Sequence, residues 1–367
     1  MHFKSQRKSY KRRRDKQHRT SEYSQFMNTP KAFASSLSLT NENMMMCFLF
    51  VTTLLVSTVL WFRYIHKYFK NKCTCAVSLL GKVVIITGAN SGIGYHAALQ
   101  MAARGGRVIL ACRNEAKGLA ARDRIISTTG NSNVVYKHLD LSSLDSVRRF
   151  ANDVITTEDR LDVLINNAGM YGSSGKYTED GILEGFQVNH FGHFLLTLLL
   201  LELLMKSRPS RIINVSSILH YYGSIRTDDI NKIVRNDLFT YINSKLCNVL
   251  FSVEFARRFR GSGVVCNALH PGMIDTEISA QANFFVKWVF KASCWVCYRT
   301  LGEGVQTVVH LAVSKECENI SGKFYMDCIP RYLLPNARNP LVASSLWDLS
   351  EELVGYKTHT KSGFKDY

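Results

Sequence analysis

From Leu79 onward, short apolar runs of strand type alternate with stretches whose apolar positions recur at helical spacing. The strand-like runs are Lys82–Ile86, Arg107–Ala111, Val134–His138, Asp162–Ile165, 211–215, Val264–Leu269 and Lys323–Asp327. Helical stretches cover 92–104, 115–128, 143–157, 186–206, 238–260 and 302–313. This order predicts an α/β architecture, a single domain built on a doubly wound parallel sheet of seven strands with helices on both faces. With right-handed crossovers, such a sheet opens its ligand crevice at the carboxyl ends of the strands.

Ahead of this region the pattern changes. The run Met44 to Phe62 has no charged residue over 19 positions and is followed by Arg63, Lys67, Lys70 and Lys72. As a helix it would extend roughly 28 Å, close to the hydrocarbon thickness of a bilayer. We read 44–62 as an N-terminal transmembrane helix, with Trp61, Tyr64 and Tyr68 as an interfacial aromatic belt. A cleaved secretory signal is the competing reading. Its apolar core runs only about 7–15 residues and ends at a small-residue site, whereas a basic and aromatic cluster follows here. The boundaries are then a tail at 1–43, the anchor at 44–62, a juxtamembrane linker at 63–78, the folded domain at 79–330 and a C-terminal extension at 331–367.

Composition alters this picture only at the amino end. Of the formal charge of +17, residues 1–82 carry +12, from 15 Lys and Arg against 3 Asp and Glu. The tail, centred on Lys11-Arg-Arg-Arg14, is polar without apolar periodicity and is expected to be disordered. It has no interleaved aromatic platform and sits beside the apolar run, which favours a solvated tail or contact with anionic lipid; no nucleic-acid partner is expected. Ten cysteines are scattered without a disulfide framework, which fits a reducing compartment. Cys73-Thr-Cys75 lies next to the anchor and is a candidate for acylation. No Cys-x-x-Cys pair recurs with His or Cys partners, so no metal is expected.

The first chemical signal is Thr87-Gly88-Ala-Asn90-Ser91-Gly92-Ile93-Gly94, between a strand and a helix. There the glycines allow a tight turn and bring backbone N–H groups to a pyrophosphate at the helix N-terminus. The spacing departs from Gly-x-Gly-x-x-Gly, so an ordinary strand-to-helix turn is the alternative. After the second strand the chain reads Ala111-Cys-Arg113-Asn114, where an acidic residue would hold the ribose hydroxyls of NAD(H). A guanidinium there suits a 2′-phosphate and favours NADP(H), unless Arg113 only caps a surface helix. Asp140, followed by Leu141, is placed to touch the adenine or to cap the next helix. Asn167, Ala168 and Gly169, in Asn166-Asn-Ala-Gly169, put small residues where backbone would pass the cofactor.

The second signal is Tyr241 and Lys245 in Tyr241-Ile-Asn-Ser-Lys245. Residues four apart share a helix face, so the ammonium would favour ionisation of the phenol. The same spacing also describes an ordinary solvated face. Ser217 closes Asn214-Val-Ser-Ser217 after a strand-like run, a rigid place for a carbonyl-orienting hydroxyl. Asn189, inside an apolar helix, is either a structural hydrogen-bonder or the holder of a relay water. His190, His193 and His220 read as packing or surface residues.

Together these motifs resemble the short-chain dehydrogenase/reductases, and within them the membrane-anchored retinol dehydrogenase group. The resemblance covers about 79–330 and extends to Val188-Asn-His-Phe-Gly192, His270-Pro271-Gly272 and Ser321-Gly-Lys-Phe-Tyr-Met-Asp-Cys328. It implies a Rossmann fold that binds NADP(H), with Tyr241 as acid/base, Ser217 fixing the substrate oxygen, Lys245 lowering the tyrosine pKa and holding the ribose, and Asn189 supporting a relay. Pro271, Gly272 and Thr276 resemble the segment that closes over the nicotinamide. The basic tail is outside the resemblance.

Residues 278–300 hold Phe284, Phe285, Trp288, Phe290 and Trp295 among lysines, which reads as a lid over an apolar substrate or as a plain core helix. With the anchor, the expectation is a lipophilic alcohol or carbonyl substrate, retinal/retinol first, then other lipid aldehydes and sterol ketones. The alternative from another class is a membrane-tethered scaffold without turnover. The endoplasmic reticulum, with the domain facing the cytosol, is the expected location, and a homodimer is admissible.

Overall fold

The computed structural model describes residues 41–68, 72–171, 175–226, 230, 237–272, 274 and 299–357. The tail before residue 41, the Tyr68 side chain, Thr276 and the aromatics of 284–295 lie outside them. Internal contacts divide the chain into Met1–Tyr64 and Ile65–Tyr367.

Helix α1 is Asn41–Tyr68, and within it Asn43–Ile65 is a stretch of 23 residues with mean hydropathy 2.1, long and apolar enough to cross a membrane. Its large apolar side chains, Phe48, Phe50, Leu55 and Trp61 among them, are exposed. The Thr52 and Thr53 hydroxyls donate to the Leu49 carbonyl, and those of Ser57 and Thr58 to the Leu54 carbonyl. The span therefore satisfies these hydroxyls from its own backbone, as an apolar surrounding requires.

The strands are β1 Val83–Thr87, β2 Arg107–Cys112, β3 Val134–His138, β4 Val163–Asn166, β5 Ser210–Val215, β6 Val264–His270, β7 Phe324–Met326 and β8 Ile329–Arg331. They form one sheet of eight strands in the order β3-β2-β1-β4-β5-β6-β7-β8. The first seven in that order are parallel, as the periodicity predicts; β8 is an addition, antiparallel to β7. The β7–β8 hairpin turns through Asp327 and Cys328, both with positive φ of 60° and 61°. That is the backbone of a tight primed turn, which normally announces itself by Asn-Gly or Asp-Gly. Without a glycine, the eighth strand had no sequence signal.

Alternation along each strand builds two core layers. Val83 and Ile85 of β1, with Ile109 of β2 and Leu164 of β4, face one layer. Val84 and Ile86, with Val108, Leu110 and Ile165, face the other. Covering both faces is what lets these strands be apolar throughout. The helices after α1 are α2 Gly92–Ala102, α3 Glu115–Thr129, α4 Leu144–Thr157, α5 Glu184–Phe186, α6 Gly192–Leu199, α7 Leu201–Lys206, α8 Asp237–Arg258, α9 Leu301–Gly304, α10 Gln306–Val313, α11 Pro335–Arg338 and α12 Pro340–Leu353. The single helix expected over 186–206 is divided: a π turn, Gln187–Phe191, joins α5 to α6, and Leu200 separates α6 from α7. Apolar periodicity cannot register a π turn, which keeps the chain helical while rotating the side chains that follow.

Residues beyond 330 add to the core. Asn339 caps α12 by accepting from the N–H groups of Leu341 and Val342. The helix delivers Trp347, 1% exposed, against Phe194 at 5.0 Å and Phe251 at 5.6 Å between ring centroids. The Arg258 guanidinium lies 4.9 Å from the indole and pairs with Asp348. Trp347→Ala should cost roughly 3–5 kcal/mol of stability in chemical unfolding of the full chain in detergent. A loss within experimental error would show that α12 is an appendage.

Candidate active site

At the carboxyl ends of the strands a cleft of about 480 Å³ is lined by residues that follow β1, β2, β3, β4, β5 and β6. It straddles β1 and β4, where the chain order reverses direction across the sheet, the position a doubly wound topology assigns to a ligand. Of the residues singled out in the sequence, Gly88, Asn90, Ser91, Gly92, Ile93, Arg113, Asp140, Leu141, Asn167, Ala168, Gly169, Tyr241, Lys245 and Pro271 line it. Gly94, Asn189, Ser217 and Gly272 are not among the lining residues but are adjacent in sequence or bonded to them.

The glycine loop is shaped by close approach. Gly88 has φ +64°, and a Cβ on Gly94 would lie 2.4 Å from the Gly88 carbonyl oxygen and 2.5 Å from Asn167 Nδ2. Asn167 Nδ2 donates to the Thr87 carbonyl at 2.8 Å, while Thr87 Oγ1 accepts from the N–H groups of Asn167 and Ala168, each at 2.9 Å. The ends of β1 and β4 are thereby clamped side by side. Ser91 precedes α2 with extended backbone and no side-chain cap bond, so the first-turn N–H groups of α2 border the cleft. Past the end of β2, Arg113 and Lys117 are both exposed and line the same cleft. Neither Arg113 nor Asp140 caps a helix: Asn114 caps α3 and Ser143 caps α4. The Asp140 carboxylate instead accepts from the Ser142 N–H and hydroxyl.

Lys245 is 2% exposed. Its ammonium donates to the Val215 carbonyl at 3.1 Å and lies 5.6 Å from the centroid of the Tyr241 ring. Burial pulls its pKa down to about 8. Burial also raises the Tyr241 pKa above the ordinary value, and a hydrogen bond with the Ser217 hydroxyl pulls it the other way. Desolvation is thus the largest influence on the phenol in this structure, whereas the sequence reading gave the leading part to the neighbouring ammonium. Ser217 follows β5 by two residues and caps the short turn Ile218–Tyr222.

Asn189 is in the π turn and fully buried. Its Oδ1 accepts from the Met170 N–H at 2.8 Å, and its Nδ2 donates to the Met170 carbonyl and to Ser244 Oγ. It therefore braces the loop after β4 against α8. Between them Gly169 is a cradle: a Cβ there would lie 3.1 Å from Lys245 Nζ and 3.3 Å from Asn189 Oδ1.

Several residues of the site gave no sequence signal. Ser216 Oγ donates to the Lys245 carbonyl at 2.6 Å, tying α8 to the end of β5. The ring of Tyr171 lies 5.7 Å from that of Tyr241 and borders the cleft. Arg299, buried and paired with Asp327, packs under Gly272. His190, His193 and His220 are all buried, in keeping with a packing role. His193 Nε2 bonds Thr87 Oγ1 at 2.8 Å, so the clamp between β1 and β4 reaches into α6.

The comparisons with known proteins agree with this geometry. The chain belongs to the short-chain dehydrogenase family, whose model matches residues 82–285, which makes it an oxidoreductase of that class. Its relatives are retinol dehydrogenases: human retinol dehydrogenase 14 is 44% identical over 291 residues, 75% of this chain and 87% of that one. Human retinol dehydrogenase 12 is 43% identical over 295 residues, 80% of this chain and 93% of that one. A solved structure of an uncharacterised protein from Mycobacterium paratuberculosis is similar at a TM-score of 0.62 and 32% identity, covering 77% of this chain and 96% of that one. The family uses a nicotinamide dinucleotide, and the residues fit one: open N–H groups at the start of α2, a side-chain-free floor at Gly88 and Gly169, and a lysine beneath that floor.

Gly94→Ala should weaken dinucleotide binding at least about tenfold in a fluorescence titration, because the new methyl meets backbone and a clamped amide. Unchanged affinity would contradict the clamp. A pH effect follows from the histidines. Burial holds the imidazoles of His190, His193 and His270 at about 4, 3 and 3, against 6.5 when free. Between those values the unfolded chain binds more protons. Their contribution to stability is fully present above pH 6.5 and is lost as pH falls toward 4. Unfolding midpoints measured across this interval should fall with acidification, and less steeply in His193→Gln.

Proposed function

We propose that the protein is an NADP(H)-dependent enzyme that interconverts a lipophilic alcohol and its aldehyde or ketone, with retinal and retinol as the leading pair. The observation that carries this reading is the convergence of Tyr241, bonded to Ser217, and buried Lys245 on the same cleft that Arg113 and Lys117 border at its other end.

Two exposed cations four residues apart, where an NAD-dependent enzyme presents a carboxylate, favour a ribose 2′-phosphate over a free hydroxyl. The bound nicotinamide supplies or accepts the hydride. Everything else falls to side chains of this chain. Ser217 Oγ orients the substrate oxygen, and Tyr241 gives it a proton during reduction. A phenol held protonated by burial is suited to that direction. Lys245, largely protonated at neutral pH with a pKa of about 8, places its charge beside the phenol ring and stabilises phenolate as it forms. Asn189 keeps the Gly169–Met170 backbone fixed above that ammonium, so Lys245 does not drift from the phenol.

Substrate class rests on the apolar α1 span, on Tyr171 beside Tyr241, and on relatives named for retinol. Lipid-dissolved substrates partition into membranes, so tethering the domain to one would raise their concentration around it. The endoplasmic reticulum, with the domain in the cytosol, is the compartment that reading favours. The test is the full chain in detergent with NADPH and all-trans-retinal, followed by loss of cofactor absorbance. Tyr241→Phe should lower turnover by about 10²–10⁴-fold without a matching change in cofactor affinity. Arg113→Glu should cut the preference for NADPH over NADH by roughly 10–100-fold. Retained turnover in the first variant would end the mechanism; an unchanged preference in the second would end the cofactor assignment.

A further inference from the structure

A second cluster of chemistry lies away from the cleft. The strap that follows α1 crosses the core layer containing α2 and α10, with Cys73, Cys75 and Val77 packed against it. Two hydrogen bonds that do not involve the thiols fix its course. The Cys73 N–H donates to Gln306 Oε1 at 3.2 Å, and Arg104 Nη2 donates to the Cys75 carbonyl at 3.4 Å. This brings Cys73 and Cys75 over His310 of α10, and the two sulfurs and an imidazole nitrogen lie within 4.8 Å of one another. Their separation along the chain hides this grouping from any reading of cysteine spacing.

We propose that Cys73, Cys75 and His310 form a binding site for a soft divalent cation of the zinc class, which staples the strap after the apolar span to helix α10. Ligand atoms around tetrahedral zinc sit about 2.0–2.3 Å from the ion and so about 3.3–3.8 Å from one another. The observed grouping needs only small side-chain rotations to reach that spacing. Thiolate and imidazole are the ligands such an ion prefers. Two thiolates would balance its charge, and the site is half-buried, so a bound ion would be partly shielded from competing water. A fourth ligand has a candidate source in Cys328, whose N–H donates to Thr307 Oγ1 of α10, three residues before His310. The site is structural, since its residues do not line the cleft. It would also keep these thiols from acylation and oxidation.

The test uses the full chain in detergent with reduced thiols, titrated with Zn²⁺ and with Co²⁺. The expected result is one equivalent of metal, with cobalt giving thiolate charge-transfer bands and the intense visible bands of tetrahedral coordination. Cys73→Ser, Cys75→Ser and His310→Gln should each weaken binding by more than about 100-fold, beyond what loss of an outer-shell partner costs. Cys47→Ser, in the apolar span, should bind as wild type. Dinucleotide binding by each variant reports that it is folded. The proposal is overturned if folded wild-type protein takes up no metal, if the three variants bind as wild type does, or if mass spectrometry of protein from cells finds Cys73 and Cys75 acylated or joined as a disulfide.

Discussion

Burying an ammonium beneath the floor of a cleft is costly, and the surroundings of Lys245 are organised around that cost. The charge is held by the Val215 carbonyl at the end of β5, and that carbonyl also accepts from Asn248 Nδ2. Ser216 then returns a bond to the backbone of Lys245 itself. Strand end and helix are therefore locked in one register, and the four-residue spacing that places Tyr241 beside Lys245 is fixed in space as well as in sequence. Above the ammonium the chain carries glycine, and a Cβ at 169 would lie 3.1 Å from Lys245 Nζ, closer than ordinary contact. The loop after β4 is held at that height by Asn189. A residue whose neighbours are this determined serves as a positioned charge, and its depressed pKa is a consequence of burial that the fold tolerates at a functional site.

The same logic extends outward. The clamp of Thr87 on Asn167 and Ala168 fixes the ends of β1 and β4, over which the cleft opens. His193 supports the clamp from α6, and the π turn that rotates α6 is also what aims Asn189 at Met170. The geometry of the candidate site and the core packing are thus one set of contacts. Disturbing α6 or α8 is expected to be felt at the cleft, and Trp347, which packs on both through Phe194 and Phe251, links the C-terminal helix to it.

Most of the framework was legible in the sequence because it is written in local signals. Short apolar runs marked the seven parallel strands, the glycines marked the turn after β1, and Tyr241 with Lys245 marked the proposed reactive end. What escaped depends on partners distant along the chain. The hairpin at Asp327 and Cys328 has no turn signature; its Asp327 finds Arg299, which shapes the Gly272 turn. Lys117 joins Arg113 only once α3 is built, and Cys73 and Cys75 meet His310 only across the folded core. The weight of burial on the phenol was not legible for a physical reason: spacing reveals which groups are neighbours, whereas desolvation is set by everything packed around them.

The central claim is that burial, more than the adjacent ammonium, governs the Tyr241 phenol before a cofactor charge is present. Its direct measurement is an ultraviolet difference titration of the wild type against Tyr241→Phe, with and without saturating NADP⁺. The account predicts that the phenol of the free protein titrates above the ordinary value of 10 and that its pKa falls when the positively charged nicotinamide binds. A phenol already ionised near neutral pH in the free protein would contradict it.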